Sequence, residues 1–102
     1  MIRHVVLCRF RKDVNDAAIA GIFEALKGLE LQIDGIIAIT AGRDNSPEGL
    51  QNGFSHGFTV DFTDAAARDR YLPHPAHQKV GAMIVAAAEG GVAGITVVDW
   101  EV

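Results

Sequence analysis

Hydrophobic and polar positions alternate over residues 2–11 and again over residues 54–62. Successive side chains of a β-strand point to opposite faces of the sheet, so this alternation predicts a strand in each segment. A third apolar run spans residues 36–40 and leads into a connection rich in turn residues at positions 42–49. A fourth apolar run closes the chain at residues 95–102. The pattern therefore predicts four strands.

The segments between these strands repeat their apolar residues with a helical period. Asn15 or Asp16 can cap a first helix. Its apolar stripe consists of Ile19, Ile22, Phe23, Leu26 and Leu29. The second helical region is interrupted by prolines: Asp64 begins a short helix that ends near Tyr71, and a longer helix has Pro75 in its first position. We therefore predict a second helix that is broken in two.

The predicted order of elements is β-α-β-β-α-β, the split βαβ pattern of ferredoxin-like α+β domains. Right-handed crossovers place strands one and three at the centre of a four-stranded antiparallel sheet. The chain has 102 residues and contains no linker, repeat or low-complexity segment. We expect a single domain over residues 1–102.

Two helices cover only one face of such a sheet, and we assign to them the bulkier, even-numbered face of strands one and three. The opposite face is predicted to keep the apolar side chains Val5, Leu7, Ile95 and Val97. An apolar face of this size is not expected to remain in water. We therefore predict a homodimer in which two such faces cover each other and form a dimeric α/β barrel.

Composition and charge exclude several classes of function. The net charge is −4, and the densest basic cluster is too small to follow a nucleic-acid backbone. No apolar run approaches the ~20 residues of a membrane-spanning helix. Cys8 is the only cysteine, so no disulfide can form within the chain, and a reducing compartment is favoured. We predict a cytoplasmic protein with neither nucleic-acid nor membrane partners.

Two histidines are predicted to lie among apolar residues on the helix-facing side of the central strands. His4 and His56 have Val6, Cys8 and Phe58 as neighbours on that side. A buried polar group without a hydrogen-bond partner costs roughly 1–3 kcal/mol, so each imidazole requires a partner. Each histidine is either a structural residue or part of a binding pocket. Cys8 is expected to be an inert core thiol.

The segment from Tyr71 to His77 combines a tyrosine, two prolines and two histidines. With Pro75 in the first helical position, His77 falls in the first turn, where the helix dipole disfavours an imidazolium. A neutral imidazole can act as a general base, and Tyr71 can donate a hydrogen bond to an oxygen that gains negative charge. We predict this catalytic pair; the alternative is that the prolines only turn the chain. No metal or organic cofactor is predicted.

These segments resemble the stress-responsive α/β barrel (Dabb) family, which includes olivetolic acid cyclase-like polyketide cyclases. The matching stretches are residues 4–10, 42–44, 46–48, 53–62 and 71–77. The resemblance covers nearly the whole chain in the right order. It implies a ferredoxin-like fold, a dimer whose two sheets close a barrel, and a stress-related role.

The resemblance also implies a site. In the cyclases, a tyrosine and histidine pair matches Tyr71 and His77, and two further pocket histidines match His4 and His56. The implied substrate pocket lies between sheet and helices, with His4, Val6, Cys8, Phe23, Leu26, His56 and Phe58 as its lining. Leu26 replaces a tyrosine of the cyclase and Phe58 replaces a valine, and the bulkier Phe58 should shrink or reshape this pocket.

Three functions remain open at this stage. The first is a small-molecule site, in its catalytic form a cofactor-free aldol enzyme in which His77 removes a proton and Tyr71 stabilises the enolate oxygen. The second is a non-enzymatic stress or assembly protein in which the histidines are structural. The third is a cofactor-independent monooxygenase, a class that shares the dimeric barrel.

Overall fold

Four strands and three α-helices follow one another in the predicted order β-α-β-β-α-β, with the second helical region in two pieces. The computed structural model describes all residues, 1–102. The elements are β1 (Ile2–Cys8), α1 (Asp16–Lys27), β2 (Ile36–Arg43), β3 (His56–Phe62), α2 (Ala65–Tyr71), α3 (Pro75–Ala87) and β4 (Ile95–Glu101), with 3-10 turns at Gly28–Leu31 and Gly91–Gly94.

The strands form one antiparallel sheet in the order β2-β3-β1-β4. The prediction that β1 and β3 are central is confirmed. In this register, His4 lies opposite Val60 on one side and Asp99 on the other. Cys8 lies opposite His56 and Ile95 in the same way. The three helices pack on a single face of this sheet, over a core of 18 buried residues.

Each α-helix begins at a side-chain cap. Asn15 and Asp64 accept hydrogen bonds from backbone N–H groups in the first turns of α1 and α2, both at 2.8 Å. His74 caps α3: its Nδ1 accepts from the N–H of Ala76 at 3.1 Å, and Pro75 is the first helical residue. The proline-rich segment thus fixes where α3 begins, and with it the position of His77.

Two strands are shorter than the alternation predicts. β1 ends at Cys8, and Phe10 forms only an isolated bridge with Ala88. β3 begins at His56, because Phe54 belongs to the preceding loop, where its N–H donates to the carbonyl of Gln51 at 2.9 Å. The alternating pattern continues past both points although the regular pairing does not.

The outer face of β4 differs from the prediction. Val97 lies opposite Val6 and Ile95 opposite Cys8, so both side chains belong to the helix-facing side. Ile95 packs against the core there. The assignment of Ile95 and Val97 to the outer face was therefore wrong. The outward residues of β4 are Thr96, Val98 and Trp100.

The outer face remains apolar with this correction. Leu7, Val98 and Trp100 are 39%, 53% and 48% exposed, and all three lie on this side of the sheet with Val5. The chain has no helix that is both long enough and apolar enough to cross a membrane.

Candidate functional site

Tyr71 and His77 lie in contact where α2 ends and α3 begins. Their ring centroids are 4.1 Å apart, and the ring planes are inclined by 39°. Tyr71 is only 1% exposed, and this burial raises the pKa of its phenol. The phenol therefore keeps its proton at neutral pH and can only act as a neutral hydrogen-bond donor or acceptor.

The imidazole of His77 is held in one tautomer by the backbone. Its Nδ1 donates to the carbonyl oxygen of Leu72 at 2.9 Å, and Gln78 donates to the same oxygen at 2.8 Å. In the neutral imidazole this leaves the lone pair on Nε2. Burial lowers the pKa of His77, and the nearby imidazoles of His4 and His74 lower it further, while the bond to Leu72 raises it. His77 is therefore a neutral imidazole at pH 7, with Nε2 available as a base.

His4 belongs to the same group. It is 5% exposed, and its ring lies edge-on to Tyr71 with a centroid distance of 6.1 Å. Its Nδ1 donates to Asp99 Oδ1 at 2.7 Å, and Arg68 donates to Asp99 Oδ2 at 3.1 Å. This chain of bonds provides the partner that the buried imidazole requires and leaves its Nε2 without a proton when the ring is neutral.

Sequence reasoning did not identify Asp99 and Arg68. Asp99 lies between Val98 and Trp100 in an otherwise apolar stretch of β4. This isolated polar residue was the only sign in the sequence of a role in the site. Its role depends on the β1–β4 register that places it opposite His4.

His56 lies apart from this group. It is opposite Cys8, four residues along β1 from His4, which corresponds to about 13 Å along the strand. Its ring packs edge-on against Phe10 at 5.3 Å and is 6.0 Å from Phe23, centroid to centroid. The structure thus divides the predicted site: Tyr71, His77 and His4 meet at one end of the helix-facing side, and His56 and Phe23 meet at the other.

The remaining predicted pocket residues belong to the core: Val6 and Phe58 are paired between these two ends, and Cys8 is paired with His56. Val6, Cys8, Leu26 and Phe58 are 4%, 0%, 1% and 6% exposed. Burial raises the pKa of the Cys8 thiol to about 11, so the thiol stays protonated at neutral pH. We refer to Val6, Leu26 and Phe58 below as the packed middle.

His56 lines two of the four principal cavities of the chain. The largest has a volume of about 540 Å³ and is lined mainly by residues 42–57. A smaller one, about 210 Å³, lies between α1 and the end of β2 and includes Phe23, Arg43 and His56. Tyr71 and His77 line none of the four principal cavities. No cluster of three or more His, Cys, Asp or Glu side chains is arranged to hold a metal ion.

A family profile described as the stress responsive A/B barrel domain, Dabb, matches residues 2–102. The chain belongs to the Dabb family. Among curated Dabb relatives, the stress-response A/B barrel domain-containing protein HS1 of Arabidopsis thaliana is 27% identical over 100 residues, which cover 98% of this chain and 88% of HS1.

Solved structures confirm the ferredoxin-like fold of this Dabb chain. A dimeric ferredoxin-like protein of unknown function from Jannaschia sp. CCS1 is 36% identical, with a TM-score of 0.85 over 99% of this chain and 98% of that chain. The hydroxynitrile lyase from Passiflora edulis is 20% identical, with a TM-score of 0.88 over 99% of this chain and 92% of that chain. The likeness to the lyase concerns the fold alone.

Proposed function

We propose that this Dabb protein binds a small carbonyl compound beside Tyr71 and His77 and removes a proton from the carbon next to the carbonyl group, without a cofactor. The observation that carries the proposal is the bond from His77 Nδ1 to the Leu72 carbonyl, which leaves Nε2 as the basic nitrogen. The lowered pKa of His77 keeps that nitrogen unprotonated at neutral pH. A base of this kind accelerates proton transfer by about 10²–10⁴-fold.

The proposed step balances within the substrate and these two side chains. The C–H bond breaks, its proton moves to His77 Nε2, and the electron pair passes to the carbonyl oxygen. The Tyr71 hydroxyl donates a hydrogen bond to that oxygen as it becomes an enolate. In an aldol reaction the enolate carbon then attacks a second carbonyl carbon, and the oxygen of that carbonyl takes up the proton from His77 Nε2, which returns the imidazole to its neutral form. His4, oriented by Asp99, faces the same ring of Tyr71 and would position the substrate.

We also propose that the working unit is a homodimer, formed through the outer sheet face with Val5, Leu7, Val98 and Trp100. The support is the exposure of this face and the description of the Jannaschia relative as dimeric. A second sheet would remove these side chains from water and close the barrel.

A second candidate is the non-enzymatic stress protein, and one observation favours it. The packed middle fills the space that the implied substrate pocket would occupy. In that case Tyr71 and His77 stabilise the junction of α2 and α3 and bind nothing.

The test is hydrogen–deuterium exchange at the α-carbon of acetylacetone and of an aryl methyl ketone, followed by NMR in D₂O at pH 7. The wild-type protein should accelerate exchange, His77→Ala should abolish the acceleration, and Tyr71→Phe should reduce it about tenfold or more. Gln78→Ala is the matched control, because Gln78 binds the same Leu72 carbonyl but supplies no base.

Circular dichroism should show that all three variants fold. Equal exchange rates for His77→Ala and the wild type would refute the proposal and leave the stress-protein candidate.

A further inference from the structure

A second group of donors lies at the opposite end of the helix-facing side. Arg43 of β2 and His56 of β3 are opposite each other in the sheet register. Both line the cavity of about 210 Å³. The facing wall is α1, which contributes Ile19 and Phe23. A cationic side chain, an imidazole and an apolar wall thus surround one cleft.

The guanidinium of Arg43 forms no salt bridge within the chain. None of the five ion pairs of the chain includes Arg43. The neighbouring carboxylate of Asp44 is engaged in its own loop, where it accepts from the Ser46 N–H at 3.1 Å and from Gln51 Nε2 at 2.8 Å. A guanidinium presents several N–H donors in a fork that matches a carboxylate.

His56 has one nitrogen left for a ligand. Its Nδ1 is bonded to the Ser55 hydroxyl at 2.7 Å. When that hydroxyl donates, Nε2 carries the proton and is a hydrogen-bond donor. In that tautomer the cleft offers donors from both Arg43 and His56 to a single anion. Asp16 is the one carboxylate that lines this cavity, and its charge opposes such an anion.

The apolar wall indicates what is attached to the anion. Phe23 lies in an aromatic cluster, with ring centroids 6.1 Å from Phe10 and 6.4 Å from Phe58. An aromatic ring prefers edge-to-face neighbours of this kind. The volume is below the ~300 Å³ at which sites for drug-sized ligands begin, so the cleft suits a single ring.

We propose that this cleft binds a small aromatic carboxylic acid, with the carboxylate between Arg43 and His56 and the ring against Ile19 and Phe23. This site goes beyond the proposed proton-transfer function and needs neither Tyr71 nor His77. The two sites can therefore be tested independently.

The experiment is a titration of the full-length protein with benzoate, followed by two-dimensional ¹H–¹⁵N NMR. Benzoate should shift the resonances of residues around the cleft, and Arg43→Gln should weaken its binding about tenfold or more, because a hydrogen-bonded charge is removed. Asp16→Asn should strengthen binding. Benzamide, which keeps the ring but has no charge, should bind about tenfold or more weakly than benzoate.

Two controls separate this site from others. Arg11→Gln removes an exposed arginine that is already paired with Asp13, and it should leave benzoate affinity unchanged. The double variant Tyr71→Phe/His77→Ala should also bind benzoate like the wild type. Equal affinity for benzamide, equal affinity of Arg43→Gln, or shifts centred on Tyr71 and His77 would each overturn the proposal.

Discussion

At the scale of single residues, two imidazoles are kept neutral by their surroundings. Burial lowers the pKa of both His77 and His56, and in His56 the charge of Arg43 adds to the effect. The unfolded chain, with ordinary histidine pKa values near 6.5, takes up these protons more readily than the folded chain. The contribution of these neutral imidazoles to stability is thus complete above that pH and is lost as pH falls through the lowered pKa values.

We therefore expect the melting temperature to fall between pH 7.5 and pH 5, and His77→Gln to reduce that fall. Scanning calorimetry of both proteins at several pH values measures the difference. His56→Gln should also reduce the fall in melting temperature, because the pKa of His56 is lowered as well. If His77→Gln loses as many degrees as the wild type over this range, the neutral imidazole contributes nothing to stability.

Part of the site could be predicted at this scale. The contact of Tyr71 with His77 follows from local sequence, since Pro75 and the His74 cap fix the chain between them. The bond from His4 to Asp99 could not be predicted, because residues 95 positions apart meet only through the β1–β4 register. The distance of His56 from His4 depends in the same way on the β1–β3 register.

At the scale of elements, the turn before β2 depends on a glycine. Gly35 has φ of +94°, and a Cβ placed there would lie 2.6 Å from Cβ of Ala67 in α2. Its carbonyl also accepts from the N–H of Thr63 at 3.0 Å, which ties this turn to the end of β3. Both the backbone angle and the close approach to α2 therefore require glycine at this position.

We expect Gly35→Ala to lower the free energy of unfolding by about 2 kcal/mol or more, through backbone strain and overpacking. Urea denaturation measures the change. Gly21→Ala is the matched control, because Gly21 lies inside α1 and the added Cβ would have no atom within 4 Å apart from its chain neighbours and the backbone of its own helix. That substitution should stabilise the protein by roughly 0.5–1 kcal/mol. Equal effects of the two substitutions would show that the turn tolerates a side chain.

The helix starts could be predicted from sequence more accurately than the strand ends. Asn15, Asp64 and Pro75 act through bonds or angles within their own segments, so local sequence specifies them. Phe10 and Phe54 continue the alternation of their strands, yet each lies beyond the regular pairing. The end of a strand depends on its neighbour in the sheet, which the alternation of one segment does not contain.

At the scale of the whole molecule, the proposed dimer depends on one face of the sheet. Val97 and Val98 are equally exposed, at 52% and 53%, but they lie on opposite sides of β4. A lysine in place of Val98 would put a charge into the proposed interface, and a lysine in place of Val97 would not. Adjacent positions thus provide a matched pair for the test.

We expect Val98→Lys to shift the protein from dimer to monomer and Val97→Lys to leave it dimeric. Size-exclusion chromatography with light scattering measures the mass of each variant. A monomeric wild type, or the same dimer in both variants, would contradict the proposed interface.

The sequence of β4 does not indicate which of its side chains point toward the helices, because apolar residues occupy both sides of the strand. Ile95 and Val97 point toward the helices, and Val98 and Trp100 point away. Only the register with β1 separates them, whereas β1 and β3 have a bulkier side that indicates their orientation. The order of the elements could be predicted, since it depends on patterns that are complete within each segment.

The packed middle has a consequence for how the two ends of the helix-facing side communicate. Val6, Leu26 and Phe58 are almost fully buried and separate the proposed proton-transfer site at Tyr71 from the cavity at Arg43. Protein interiors of this density do not admit even one extra ring without rearrangement. We therefore expect a short molecule at one of the two proposed sites not to compete with a short molecule at the other. A longer molecule would meet these buried side chains, which would limit the length of ligand that either proposed site accepts.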